Sequence, residues 1–204
     1  MSRMAWSVRA VGLTLALLMS TNPALAASAG ALAAMPIEQA ATELSPNQFV
    51  WKDDTASGAA SEPVSIVISL LAQRAFVYRG STMIAATTIS SGKNGKDTPL
   101  GTYPILQKNA VHKSNLYNDA SMPFMQRLTW DGIAIHAGRN PGFPDSHGCI
   151  RVPLGFAKRL FGVTTLGTTV TVTDDFEGGA MPEPPVADQE TAIANLRQSV
   201  SLDP

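Results

Sequence analysis

From residue 64 to residue 173 the chain is a succession of short β-branched and aromatic runs, each broken within a few positions by Gly, Pro, Asn or Asp. Such a pattern leaves little room for long helices. Val64-Ser65-Ile66-Val67-Ile68-Ser69-Leu70 and Arg74-Ala75-Phe76-Val77-Tyr78-Arg79, separated by a short turn, read as a hairpin. Residues 83–89, 102–106, 124–130 and 132–136 continue the series, and Thr169-Val170-Thr171-Val172-Thr173 alternates strictly. Several short strands at this spacing predict a mainly β fold, a sandwich or barrel-like sheet. One short helix is expected to interrupt it: Pro153 suits the first helical position, Leu154, Ala157, Leu160 and Phe161 mark an apolar stripe, and Gly162 ends it.

The flanks are different in kind. Arg3 and Arg9, an apolar run over 10–19, and Ala24-Leu25-Ala26 have the order of a signal peptide, with cleavage expected after Ala26. A run of about ten residues rises roughly 15 Å, half of a bilayer core, so an uncleaved membrane anchor is the weaker reading. The expectation is an exported protein, placed in the periplasm, with no stable membrane insertion after cleavage. Residues 27–63 are rich in Ala, Ser, Gly, Thr and Pro and read as a flexible leader, with a helical turn or two near 37–44 and Phe49-Val50-Trp51 docking as an edge strand. The folded domain is assigned to 64–175. Residues 176–204 read as a Pro/Gly linker followed by a short C-terminal helix over 188–199.

Composition removes several functions. With 15 Lys+Arg against 16 Asp+Glu the 204-residue chain offers no basic face for phosphates, so nucleic acid is not an expected partner. A single cysteine permits neither an intrachain disulfide nor a cysteine-rich zinc site. An exported free thiol is exposed to oxidation, so Cys149 needs a reason to be there.

Its neighbours supply one. Ile133-Ala134-Ile135-His136-Ala137-Gly138 is followed, after a Gly/Pro-containing gap, by Ser146-His147-Gly148-Cys149-Ile150-Arg151-Val152-Pro153. A thiol with a pKa of about 8.5 is mostly protonated at neutral pH, so a nucleophilic cysteine needs an imidazole to take its proton or to hold the thiolate as an ion pair. His136, at the end of a predicted strand, is assigned as that base, with His147 as the other candidate. Gly148 permits a sharp turn that would aim the backbone N–H groups of 148 and 149 at an oxyanion. Arg151 alternates with Cys149 along an extended segment, where a guanidinium suits a substrate carboxylate or a lowered thiol pKa.

A zinc site is the rival reading. His136, His147 and Cys149 make three ligands, but only Asp145 is at hand as a fourth and the spacing fits no usual structural-zinc pattern. Neither a metal nor a cofactor is expected. Gly92-Lys93-Asn94-Gly95-Lys96 has the wrong spacing for a phosphate loop and reads as a turn.

The combination of Ile135-His136 with Ser146-His147-Gly148-Cys149-Ile150-Arg151-Val152 resembles the signature of the L,D-transpeptidases, cysteine enzymes of peptidoglycan. Ser91-Gly92-Lys93 through Thr98-Pro99-Leu100-Gly101-Thr102-Tyr103 is similar to the same catalytic domain, and the likeness covers about residues 64–174. The resemblance implies Cys149 as nucleophile, His136 as general base, and the backbone at His147, Gly148 and Cys149 as oxyanion site. Ser146 and Arg151 are carried over as substrate-binding residues. It also implies a thioester formed on a peptidoglycan stem peptide with loss of D-Ala, and acylation of Cys149 by carbapenems. The acyl acceptor would be a second stem, a protein lysine, a free D-amino acid or, in a carboxypeptidase, water. A wall-binding module without catalysis is the alternative from another class.

Overall fold

The computed structural model describes residues 29–52, 62–114 and 119–174. The signal peptide expected over 1–26 and the linker and helix expected over 176–204 lie outside the described residues. Within them the expected mainly β architecture is found, as a six-stranded and a four-stranded sheet with a few short helices.

The first sheet grows from the hairpin. Strand β2 (Val64–Ser69) pairs antiparallel with β3 (Arg74–Arg79), closing on Ser69 opposite Arg74. The Ser69 hydroxyl accepts the Ala72 N–H at 3.1 Å, and Gln73 takes a positive φ of 49° to complete the turn. Strand β4 (Thr82–Thr88) follows on β3, and β1 (Phe49–Trp51) adds to the outside of β4 as an edge strand. On the other side β10 (Thr169–Thr173) lies parallel to β2 and antiparallel to β5 (Gly101–Pro104). Its alternation is realised directly: Val170 and Val172 are buried and the three threonines of the strand are half-buried.

The second sheet runs β6 (Gln107–Asn109), β7 (Met125–Arg127), β8 (Ala134–Ala137) and β9 (Ile150–Val152). The run expected over 102–106 ends as a strand at Pro104, and Ile105 is buried where the chain crosses to the second sheet. The main core lies between them. It gathers Ile66, Ile68 and Val77 from one sheet, Ile135, Ile150 and Val152 from the other, and Phe156 and Leu160 from the helix α3 (Leu154–Val163).

Two expectations need correction. Pro153 caps α3 rather than opening it, Leu154 is exposed, and the helix passes through Gly162 to Val163. Its end is set by Lys108, whose ammonium donates to the carbonyls of Phe161 (2.7 Å) and Thr164 (2.6 Å) and also lies 4.4 Å from the centre of the Phe161 ring. A cation at a helix C-terminus satisfies carbonyls that have no partner within the helix.

The second correction concerns the leader. Residues 53–61 lie outside the described residues, but 29–52 are packed. Helices α1 (Ala29–Ala34) and α2 (Ile37–Thr42) cover the outer face of the six-stranded sheet, where Leu32, Ile37, Ala40 and Leu44 meet Val50, Val67, Phe76 and Tyr78. Arg74 fastens them, donating to the carbonyls of Ala41 (2.8 Å), Thr42 (3.1 Å) and Leu44 (3.1 Å). The physical signal for this layer lies in β2 and β3, whose apolar runs do not alternate because both faces of the sheet are covered.

Candidate active site

Strands β8 and β9 are parallel neighbours with Ile135 opposite Ile150, His136 opposite Arg151 and Ala137 opposite Val152. Side chains alternate between faces along a strand, so Ile135, Ala137, Ile150 and Val152 enter the core while His136 and Arg151 share the other face. Cys149 stands two residues before Arg151 and packs beside Met122, Met125 and Ala134 on that side. His136, Cys149 and Arg151 accordingly line one cleft of about 150 Å³, together with Ser114, Met122 and Gly132. A second cleft, lined by His112, Arg127, Trp130 and Asp131, adjoins it through the same Ser114, Met122 and Gly132.

The motif is pinned as a tight turn. Ser146 Oγ donates to the Cys149 carbonyl at 2.6 Å and accepts the Gly148 N–H at 3.1 Å. Gly148 has φ of 114°, a backbone conformation that favours glycine. From outside the motif, Thr98 Oγ1 donates to the Gly148 carbonyl at 2.7 Å and accepts the Gly92 N–H at 2.9 Å. The Ser91 carbonyl accepts the N–H groups of Asp145 (3.1 Å) and Ser146 (3.0 Å), and Ser90 and Arg151 exchange backbone bonds in both directions. The turn expected at 92–96 therefore belongs to the cradle of the cysteine motif.

Burial and nearby charges act on both groups. His136 is buried, and its Nδ1 lies 2.8 Å from the Ala137 carbonyl. A carbonyl can only accept, so Nδ1 carries the proton and Nε2 is the bare, basic nitrogen. Burial lowers the His136 pKa below the ordinary imidazole value; the bond to Ala137 opposes this, while Arg151 and His112 add to it. The Cys149 pKa is raised by burial, against a lowering contribution from the backbone of Ala134 and from Arg127 and Arg151. Its thiol donates to the Gly132 carbonyl at 3.4 Å. Among the described residues no hydrogen bond joins the thiol to the imidazole.

Arg151 is held by Ser90 Oγ (3.2 Å) and by the Asp145 carboxylate (3.3 Å), while its Nε is buried without a hydrogen-bond partner. Its aliphatic stem fills the space a Cβ on Gly138 would need, 2.9 Å from Arg151 Cδ.

The residues singled out in the sequence thus fall into distinct positions. Cys149, His136 and Arg151 line the same cleft. His147 is exposed at its rim. The Gly148 N–H is engaged by Ser146, whose own proton goes to the Cys149 carbonyl, so both residues hold the turn on which Cys149 stands. Asp145, considered as a fourth zinc ligand, is ion-paired with Arg139 and Arg151, and among the described residues no group of three His, Cys, Asp or Glu is placed to hold a metal. Gly132 and Ser90 contribute to the site although no local pattern assigns them a role there, whereas Ser91 and Thr98 lie in the stretch whose sequence resembles the catalytic domain.

Comparison with known proteins supplies the family. The YkuD family model, an L,D-transpeptidase catalytic domain, matches residues 63–172. Among solved structures, an L,D-transpeptidase from Stackebrandtia nassauensis superposes with a TM-score of 0.52 at 23% identity, covering 58% of this chain and 58% of that one. One from Mycobacterium tuberculosis gives 0.51 at 21% identity, covering 54% and 57%, and one from Mycobacterium smegmatis gives 0.50 at 22%, covering 54% and 58%. At these identities the likeness speaks for the fold, and this chain spans less than three fifths of each of those chains. A comparison with curated proteins finds no match. The family model spans more than half of the sequence and includes both His136 and the whole cysteine motif, and on that ground the chain belongs to the L,D-transpeptidase catalytic-domain family.

Proposed function

We propose that the protein is an exported L,D-transpeptidase that acts on peptidoglycan stem peptides in the periplasm, with Cys149 as its nucleophile. The observation that carries the reading is the convergence of the Cys149 thiol and the His136 ring, oriented by the Ala137 carbonyl, in one solvent-reachable cleft. A protonated thiol and an unprotonated Nε2 are the two halves of a general-base step. As the sulfur attacks the carbonyl of the third stem residue, Nε2 takes the thiol proton and then delivers it to the departing amine of D-Ala. The product is a thioester on Cys149. An incoming amine, from a second stem or a protein lysine, loses its proton to the same Nε2 and releases the sulfur.

The oxyanion is assigned to the backbone N–H groups of the turn that carries Cys149. Arg151 supplies positive charge beside the cleft for a stem carboxylate, an interaction its planar fork favours. Export follows from the order of the first 26 residues, Arg3 and Arg9 before an apolar run and Ala24-Leu25-Ala26. No group other than these side chains and backbone amides is needed for acyl transfer. The test is release of D-Ala from defined tetrapeptide stems: wild type releases it and Cys149→Ala does not. Equal release by the variant would refute the assignment.

A further inference from the structure

The family match begins at residue 63, yet residues 46–51 reach both chain segments that flank the cysteine motif. On the upstream side lies the loop that joins His136 to Ser146. The Pro46 ring sits against Gly142 of that loop, close enough that a Cβ on Gly142 would fall 2.7 Å from Pro46 Cγ. The Gln48 carbonyl accepts the Thr88 N–H at 3.1 Å and the Thr87 hydroxyl at 3.2 Å. The Thr88 carbonyl in turn accepts Asn140 Nδ2 at 2.6 Å, which ties the same loop to the end of β4 that Gln48 holds.

On the downstream side lies α3, which starts at Leu154, directly after β9 and Pro153. The rings of Phe49 and Trp51 both meet Phe156 of α3 edge-on, with centroids 5.9 and 5.5 Å away. Arg159, about one turn further along the helix, lies 5.7 Å from the Phe49 ring and 6.0 Å from the Trp51 ring. Val50, between them, points the other way into the core under α1 and α2. One short strand thus holds the helical cover on one face and the helix that follows the cysteine motif on the other.

We propose that residues 46–51 form a positioning clamp for Cys149: Pro46 and Gln48 brace the loop before the motif, and Phe49 and Trp51 brace the helix after it. None of them lines the cleft. Their effect on chemistry is through the place of the sulfur relative to His136. The inference rests on Cys149 being the nucleophile, and its test separates the two ideas by reading the thiol directly.

Pro46→Ala and the pair Phe49→Ala/Trp51→Ala are compared with wild type for the pH profile of Cys149 alkylation by iodoacetamide, for kcat and KM of D-Ala release, and for thermal midpoint. At temperatures below the midpoint of each variant, the clamp predicts an alkylation profile moved to lower pH, as water reaches a loosened thiol. It also predicts kcat down about tenfold with KM within about twofold, the signature of misplaced reacting atoms. Trp51→Phe, which keeps a ring against Phe156, is expected to match wild type in both. A lowered midpoint with unchanged profile and kcat would make the segment merely structural and overturn the proposal. Should the double variant fail to fold, Pro46→Ala decides the question, because Pro46 is exposed and its ring contact is on Gly142. Wild type that releases no D-Ala would defeat the transpeptidase reading while the alkylation profiles still decide the clamp.

Discussion

Ser146 closes the turn on which Cys149 stands, with its hydroxyl bonded to the Cys149 carbonyl and the Gly148 N–H. Ser146→Ala leaves both groups without that partner, and unpaired buried polar groups cost about 1–3 kcal/mol each. The variant is expected to unfold at lower denaturant and to lose turnover, and chemical denaturation alongside D-Ala release checks it. Unchanged values for both would remove Ser146 from the account. That Cys149 and Arg151 project to one side could be read from the sequence, because strand alternation is a local rule; that His136 faces the same side depends on the pairing of β8 with β9. The carbonyl of Gly132, 17 residues from Cys149, and the hydroxyl of Ser90, 61 residues from Arg151, were not legible there. Contacts at that separation depend on how two sheets meet, which no local pattern encodes.

At the scale of elements, α3 depends on a residue from another part of the fold. Lys108 holds the carbonyls of Phe161 and Thr164, so Lys108→Met keeps the apolar stem but removes the cap. A loss of about 1–3 kcal/mol is expected from bonds to a charged donor, measured by denaturant unfolding, and a variant as stable as wild type would contradict it. The hairpin β2–β3 and the alternating β10 were readable from residue pattern alone. The end of α3 was not, since Gly162 is the residue a local rule selects and Lys108 is the one that acts. The end of β5 at Pro104 is hidden for the same reason: the run is continuous in sequence, and the buried Ile105 marks where the chain leaves the first sheet.

For the whole molecule, the buried His136 links folding to pH. Its folded pKa lies below the ordinary value, so between that folded value and about 6.5 the unfolded chain binds more protons than the native one. Stability is therefore expected to fall as pH drops through that window, and His136→Gln to flatten the slope; parallel slopes in denaturation curves would contradict the assignment. The cover of α1 and α2 is disguised in the sequence because its Ala-rich composition resembles a linker, although the two-sided burial of β2 and β3 calls for such a layer.

The central claim is that Cys149 carries the acyl group. Intact-mass measurement after brief incubation with a tetrapeptide stem tests it most directly. Wild type should gain the mass of the stem less its terminal D-Ala, on Cys149 alone, and Cys149→Ala should gain nothing. D-Ala released by wild type with no adduct on Cys149, or an adduct on the alanine variant, would contradict the account.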